Sequence, residues 1–240
     1  MNTHAASREL VKLIEIMTAL RSPGGCPWDR QQTADSLKPY LLEETYELLD
    51  AIDKNELNDI CDEMGDLLLQ IVFLAQIYSE KDAFDLSDVA KSINSKMIRR
   101  HPHVFADADK EDHARRWEEI KKQEREERGV AEKLADQIPK QLPALKTAMK
   151  VAKKMPATSP QKQLIDIQKR YTDLALSISE QGDDTARLQN LLGEILFSTA
   201  KLSATLQQDA EDLLRQKTMH VIAELDREKS YGSGHHLQSS

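Results

Sequence analysis

Five carboxylates stand close together in this sequence, at spacings that match the turn of an α-helix. Glu43, Glu44 and Glu47 come first, and Glu63 and Asp66 follow after a short interruption. Side chains three or four residues apart share one face of a helix, so Glu44 pairs with Glu47 and Glu63 pairs with Asp66. Carboxylate oxygens without histidine or cysteine suit a hard divalent cation. The pattern therefore indicates a site for Mg2+ or Mn2+.

The two acidic pairs border the apolar sides of their predicted helices. Glu44 has Leu41 and Leu48 as its neighbours on that face, and Glu63 lies beside an equivalent pair of apolar residues. Carboxylates at the seam between two helices are costly, or become protonated, unless a positive charge neutralises them. Lysines are scarce in this stretch, so a bound divalent cation would meet that need.

The acidic pattern is also compatible with a solvated helix surface or, less well, with a di-iron site. A single Glu-x-x-Glu or Glu-x-x-Asp is common on the solvated surface of a helix, so an ordinary charged face stays open as an alternative. A di-iron bundle places carboxylates on facing helices too, but its helices carry Glu-x-x-His, and residue 66 is Asp here. The residue types therefore disfavour iron.

Helices must position these acids, and the apolar periodicity predicts four of them in the first half of the chain. Their predicted limits are an end near Arg21 for the first, then Pro39 to Ile52, Glu56 to Ser79, and Ser87 to Arg100. Because the connection between the second and third is so short, these two helices must be antiparallel neighbours.

The overall composition favours helices and an acidic surface. Gly and Pro each number 8 in 240 residues, aromatic residues make up 5%, and the net charge is -8. Such a composition indicates an all-α fold, and its charge disfavours nonspecific binding to nucleic acid. No apolar run approaches the roughly 18 to 20 residues that span a bilayer, and no leader pattern precedes the first helix. We therefore expect a cytoplasmic protein without a membrane partner.

Four sequence blocks surround or contain the acids. They are Gly25-Cys26-Pro27-Trp28-Asp29, Leu42-Glu43-Glu44-Thr45-Tyr46-Glu47, Gly65-Asp66-Leu67-Leu68 and Arg99-Arg100-His101-Pro102-His103-Val104-Phe105. In this order, over residues 10 to 120, they resemble the MazG-type nucleoside triphosphate pyrophosphohydrolases, an all-α family. The resemblance implies hydrolysis of a nucleoside triphosphate between its α and β phosphates, which yields the monophosphate and pyrophosphate.

The resemblance also implies roles for the acids. Glu44, Glu47, Glu63 and Asp66 would hold Mg2+, with Mn2+ as an alternative, and Glu43 would be the catalytic residue that assists or positions the attacking water. A metal that bridges phosphate oxygens offsets the charge of the transition state, and a carboxylate can orient the nucleophile. The residue types thus fit the implied reaction.

Substrate contacts are implied on both sides of the acids. Trp28 and Asp29, in a predicted loop, would stack on and hydrogen-bond a base, although Trp28 could instead close the end of the bundle. Lys96, Arg99 and Arg100, on the last turns of the fourth helix, would bind phosphates. The alternative for these cations is that they only complement the helix C-terminus.

The C-terminal half resembles a weakened copy of the first. Asp173 and Glu194 stand at the positions of Glu47 and Asp66. Cationic or apolar residues occupy the other three acid positions: Lys169, Arg170 and Leu191. Because two acids beside two cations cannot form the same cation site, we expect this copy to be inactive and to serve packing or dimerisation.

These patterns predict an all-α protein with tandem helical-bundle domains. The predicted parts are a catalytic domain over 1–128, a proline-containing linker with a short helix over 129–160, a degenerate second domain over 161–230, and a disordered tail over 231–240. A homodimer is expected, because short bundles leave apolar faces that a partner helix can cover.

Two other functions stay open on the sequence alone. A narrower pyrophosphatase, specific for dUTP or a noncanonical nucleotide, would use the same acids. A helical adaptor without enzymatic activity would use the highly charged segment 111–128 as an interaction surface.

Overall fold

The chain was analysed as a computed structural model, which describes residues 2–106, 117, 119–120, 123–124, 126–127, 129, 133–179 and 184–232. Over these residues the secondary structure consists of α-helices without any β-strand, which confirms the all-α prediction. The chain divides into two compact units, Met1–Glu124 and Arg125–Ser240. The predicted domain limits and the roles given to them stay predictions.

The first unit has six helices whose limits the structure describes, and residues 117, 119–120 and 123–124 are also helical. The six helices are α1 (Thr3–Arg21), α2 (Pro27–Gln31), α3 (Lys38–Lys54), α4 (Leu57–Ser79), α5 (Leu86–Arg100) and α6 (Pro102–Phe105). The ends predicted at Arg21, Ser79 and Arg100 are therefore confirmed. Asn55 ends α3 in the left-handed conformation, with φ of 59°, and so turns the chain directly into α4.

The core of the first unit lies where α1 packs against α4. Its buried side chains come from α1, from the residue before α3, and from the second half of α4: Met17, Leu37, Val72, Phe73 and Ile77. α3 packs along α4 as its antiparallel neighbour. Since the core residues of α4 follow Asp66 in the chain, the acids occupy the first half of this helix and the core occupies the second.

Two details of the prediction are wrong. Trp28 lies in α2 rather than in a loop, because a helix of 5 residues is too short to show an apolar repeat. Ser87 does not cap α5; instead Asp85 accepts a hydrogen bond of 3.0 Å from the Asp88 N–H, and Asp88 accepts one of 3.3 Å from the Asp85 N–H. This reciprocal capping starts the helix earlier than predicted.

Arg21 holds α2 in place from the end of α1. Its side chain is only 7% exposed and makes a two-pronged ion pair with Glu80, with distances of 2.7 and 2.6 Å. It also donates to the backbone carbonyls of Asp29, at 2.5 Å, and Gln32, at 3.3 Å, and it lies over the Phe73 ring. One buried guanidinium therefore joins α1, α2 and the end of α4.

Gly25 makes the close turn between α1 and α2 possible. A Cβ atom at this position would lie 2.1 Å from the carbonyl oxygen of Leu20, far inside contact distance. The adjacent Cys26 N–H donates to the same Leu20 carbonyl at 2.8 Å. No side chain fits here, so glycine is required for this approach.

Five helices form the described part of the second unit. They are α7 (Leu134–Gln137), α8 (Ala144–Ala152), α9 (Pro160–Ser179), α10 (Thr185–Thr205) and α11 (Ala210–Gly232). The break predicted near Gln208 is confirmed. The core combines Met149 of α8 with Ala200 and Ala210, so the segment assigned to a linker contributes a helix to this unit. Most of the charged segment 111–128 and of the predicted tail lies outside the described residues.

Among the described residues, no helix combines the length and the apolar character that a membrane span requires. The cytoplasmic location and the absence of a membrane partner stay predictions.

Candidate metal centre

The α3 and α4 hairpin brings three of the predicted ligands together. One carboxylate oxygen each of Glu44, Glu63 and Asp66 lies within 4.8 Å of the other two. Glu44 and Glu63 are half-buried, whereas Asp66 is exposed. The short turn through Asn55 causes this arrangement, because it sets the acids of the two antiparallel helices side by side.

The carboxylates repel one another at this site. Burial raises the pKa of the Glu44 carboxyl above its ordinary value, and the charges of Asp66, Glu47 and Glu63 raise it further. The pKa of Glu63 is raised by partial desolvation and then by the charges of Glu47 and Asp66. A cation among these oxygens would offset both the desolvation and the repulsion.

Glu47 and Glu43 are not part of the clustered group. Glu47 is exposed and is not one of the three clustered carboxylates, yet its charge acts on both Glu44 and Glu63. Glu43 is exposed on α3 directly before Glu44. An all-oxygen donor set with open solvent on one side fits a hard divalent cation that keeps some of its water ligands. The assigned roles of these residues stay predictions.

Gln70 contacts the site and has no counterpart in the sequence-based assignment. Its side chain is buried, and its Nε2 donates a hydrogen bond of 3.4 Å to Glu44 Oε1. Its Oε1 is buried without a hydrogen-bond partner among the described residues. Gln70 continues the face of Glu63 and Asp66 by one helical turn, so the three-and-four spacing on α4 could have indicated it.

Trp28 is held close to the same hairpin. Its ring is 51% exposed and meets Tyr40 edge to face, with centroids 6.1 Å apart and an interplanar angle of 76°. Asp29 is half-buried, and its backbone carbonyl accepts from Arg21. A tryptophan that is half exposed does not act as a buried plug at the end of the bundle. Base stacking by Trp28 and hydrogen bonding by Asp29 stay predictions.

The cations of α5 are held by an acid that the sequence did not reveal. Arg99 Nε and Nη2 donate to Glu124 Oε1 at 2.9 and 2.5 Å. Arg100 Nε donates to the same oxygen at 3.2 Å, and its Nη2 donates to Glu124 Oε2. These hydrogen bonds lower the pKa of the Glu124 carboxyl to about 2. Lys96 is half-buried one turn before Arg100.

The second hairpin, which is formed by α9 and α10, has an ion pair at the positions that correspond to the acids of the first. Arg170 stands at the position of Glu44, and its Nε donates to Glu194 Oε2 at 3.2 Å. Asn190 Nδ2 donates to the other oxygen of Glu194 at 3.1 Å. A fixed guanidinium therefore neutralises the acid that corresponds to Asp66.

Comparisons with known proteins agree with this geometry. The MazG nucleotide pyrophosphohydrolase domain matches residues 32–105, which include all five acids and the α5 cations. A nucleoside triphosphate pyrophosphohydrolase/pyrophosphatase MazG of Thermotoga maritima is 40% identical over 211 residues, which cover 88% of this chain and 82% of that protein. A nucleoside triphosphate pyrophosphohydrolase of Escherichia coli is 39% identical over 226 residues, which cover 87% and 82% of the two chains.

A shorter match covers less than half of the chain. The uncharacterized protein YabN of Bacillus subtilis is 50% identical over 113 residues, or 46% of this chain and 23% of that protein. The two longer matches include both units, with identity of 40% and 39% over most of each chain. The chain therefore belongs to the MazG nucleotide pyrophosphohydrolase family.

Proposed function

We propose that this protein is a Mg2+-dependent nucleoside triphosphate pyrophosphohydrolase that cleaves between the α and β phosphates and releases a nucleoside monophosphate and pyrophosphate. The observation that carries the proposal is the grouping of Glu44, Glu63 and Asp66 oxygens within 4.8 Å, in a chain whose relatives bear the pyrophosphohydrolase name. Clustered acids of this kind are suited to a divalent cation that also contacts phosphate.

The acids of the α3 and α4 hairpin would hold the cation. Glu44, Glu63 and Asp66 supply the clustered oxygens, and Glu47 is close enough to act on two of them electrostatically. Bound Mg2+, or Mn2+, supplies charge neutralisation for the phosphate oxygens and lowers the pKa of bound water. Glu43, exposed beside Glu44, accepts the proton of the attacking water or orients that water.

The substrate would be held by elements on either side of the acids. Trp28 offers an exposed ring for a base, and Asp29 offers an acceptor for its amino or imino groups. Arg99 and Arg100 present guanidinium groups whose orientation is fixed by Glu124, and Lys96 adds a charge one turn earlier. Arg99 Nη1 makes no bond to Glu124, so it can donate to a phosphate oxygen.

The test is release of products from a mixture of nucleoside triphosphates with Mg2+. We expect equal amounts of monophosphate and pyrophosphate, and no products when the metal is chelated. Separate reactions with each nucleotide, including dUTP, measure the base and sugar preference. A folded protein that releases no pyrophosphate from any nucleotide would instead support the adaptor function, and release of orthophosphate would contradict cleavage between the α and β phosphates.

A truncation tests which unit carries the activity. The chain cut after residue 128 retains the acids, the α5 cations and Glu124, so we expect it to keep Mg2+-dependent hydrolysis. Circular dichroism verifies that the fragment is folded. Complete loss of hydrolysis in a folded fragment would show that the second unit is needed for catalysis.

We also propose that the protein is a homodimer. Large apolar side chains are exposed on the described faces of α3 and α4, among them Leu42 at 53%, Tyr46 at 51% and Met64 at 58%. Such a surface is suited to a second copy of the chain. Light scattering coupled to size exclusion measures the mass, and a monomer at all accessible concentrations would refute this proposal.

A further inference from the structure

We infer that Gln70 is a positioning residue for the metal ligand Glu44. Its amide N–H donates to one oxygen of the Glu44 carboxylate and so fixes the orientation of that carboxylate. The inference rests on the proposed cation site, and it concerns binding of the cation rather than the identity of the nucleotide.

The first observation is the contact itself. Gln70 is 7% exposed and lies on α4, one turn after Asp66, so it approaches Glu44 from the helix that carries two other acids. Its Nε2 donates to Glu44 Oε1 at 3.4 Å. The reverse orientation of the amide would set its oxygen against a carboxylate oxygen, and two acceptors repel each other. The amide therefore presents its N–H to Glu44.

The second observation is the unpaired atom of the same amide. Gln70 Oε1 is buried and has no hydrogen-bond partner among the residues that the structure describes. A buried acceptor without a partner is unfavourable, so packing alone would favour an apolar residue of similar volume at this position. The N–H that the amide donates to Glu44 gives the glutamine a role there.

The third observation is the corresponding position in the second hairpin. Ser198 on α10 stands where Gln70 stands on α4, four residues after Glu194 as Gln70 is four residues after Asp66. In the second hairpin, Arg170 occupies the position that corresponds to Glu44 and pairs with Glu194. The glutamine is thus replaced where its carboxylate partner is replaced, which a role in packing alone does not explain.

The experiment measures Mn2+ binding to the full chain by calorimetry for the wild type, Gln70→Leu and Gln70→Met. We expect the two variants to bind Mn2+ about 10-fold to 100-fold more weakly, the range known for partners that orient metal ligands. In chelator, both variants should unfold at the wild-type temperature or above, because an apolar side chain of similar volume replaces an amide whose buried oxygen is unpaired.

The matched control is Gln76→Leu on the same helix. The Gln76 amide bonds Glu80 at 3.2 Å and Thr18 at 3.1 Å, away from the acids, so Mn2+ affinity should be unchanged. The double variant Glu44→Gln with Gln70→Leu should bind no more weakly than Glu44→Gln alone, since Gln70 acts through the Glu44 carboxylate. Further weakening in the double variant would overturn the inference.

Other outcomes distinguish failure of this inference from failure of the proposed function. Mn2+ affinity within about twofold of wild type in Gln70→Leu and Gln70→Met, with an active wild-type enzyme, overturns the inference alone. A wild type that binds Mn2+ but hydrolyses no nucleotide overturns the proposed function, and the affinities of the variants still decide the role of Gln70. Failure of both variants to fold, seen by circular dichroism, would make Gln70 a structural residue and overturn the inference.

Discussion

The α3 and α4 hairpin of the first unit and the α9 and α10 hairpin of the second bury matching positions. Ala51 of α3 and Ser177 of α9 are both buried, as are Val72 of α4 and Ala200 of α10. The acid positions of the two hairpins differ in charge. The first hairpin has three clustered acids, and the second has an arginine paired with a glutamate. Under the proposed function, the first arrangement takes a cation from solution, whereas the second carries its own positive charge.

The difference shows the electrostatic cost of placing several carboxylates close together without a cation. In the first hairpin, burial and like charges raise the pKa values of Glu44 and Glu63, so these acids oppose each other until something binds. In the second, Arg170 and Glu194 satisfy each other but are both about a third exposed or more, so their pairing contributes little. The two hairpins therefore differ in charge balance: like charges repel in the first, and opposite charges pair in the second.

The largest expected difference between the hairpins comes from removing one acid from each. Glu44→Gln and Glu63→Gln should each lower turnover by on the order of 10^2 or more, because each removes a charged ligand of the cation. Steady-state release of pyrophosphate measures the effect. The matched control, Glu194→Gln at the position of Asp66 in the second hairpin, should leave turnover unchanged. Near-normal rates in either first-hairpin variant would exclude that residue as a ligand.

The effect of Mg2+ on the free energy of unfolding should also depend on the acids of the first hairpin. Mg2+ at a hundredfold excess over its dissociation constant should raise the free energy of unfolding by about 2.7 kcal/mol, provided that it binds only the folded chain. Thermal unfolding with Mg2+ and with chelator measures this difference. In Glu44→Arg, which copies Arg170, the response to Mg2+ should vanish. A response equal to that of the wild type would show that the stabilising ion binds elsewhere.

Low pH should destabilise the first unit through protonation of Glu124. Its pKa is lowered from 4.5 to about 2, so the stability from its ion pairs is complete above 4.5 and is lost as the pH falls towards 2. Unfolding by urea, followed over this pH range, should show a steeper decline for the wild type than for Glu124→Gln. Glu9→Gln, on the exposed surface of α1, serves as the control and should follow the wild type. Parallel curves for wild type and Glu124→Gln would contradict the role of the carboxylate.

The smallest expected effect is loss of the ion pair in the second hairpin. Arg170→Met should change the free energy of unfolding by less than about 1 kcal/mol, because partly exposed ion pairs are screened by solvent. Urea unfolding followed by circular dichroism measures the change. A loss of several kcal/mol would mean that Arg170 supports the second unit in the way that a bound cation would support the first.

Much of this arrangement could be predicted from residues close together in the chain. The ends of helices at Arg21 and Arg100 follow from nearby breakers, and the grouping of Glu44 with Glu63 and Asp66 follows from helical spacing and a short turn. These features depend on local periodicity and on one antiparallel packing. The sequence carries that information directly.

The remaining features depend on contacts between distant residues or on very short elements. Glu124 reaches Arg99 across 25 residues of chain, and Arg21 reaches Glu80 across 59, without any periodic pattern that links them. The helix around Trp28 has only 5 residues, which is too few for an apolar repeat. Gln70 shares the face of the acids but is uncharged, so a pattern of carboxylates does not include it.

The contact between Trp28 and Tyr40 links the proposed base-binding residue to the helical position of Glu44. Tyr40 precedes Glu44 by four residues on α3, so the aromatic contact and the acids lie on one face, a single turn apart. Inserting one residue between them would rotate the aromatic contact by about 100° around the helix axis relative to the acids. The proposed site therefore constrains the length of this stretch of α3.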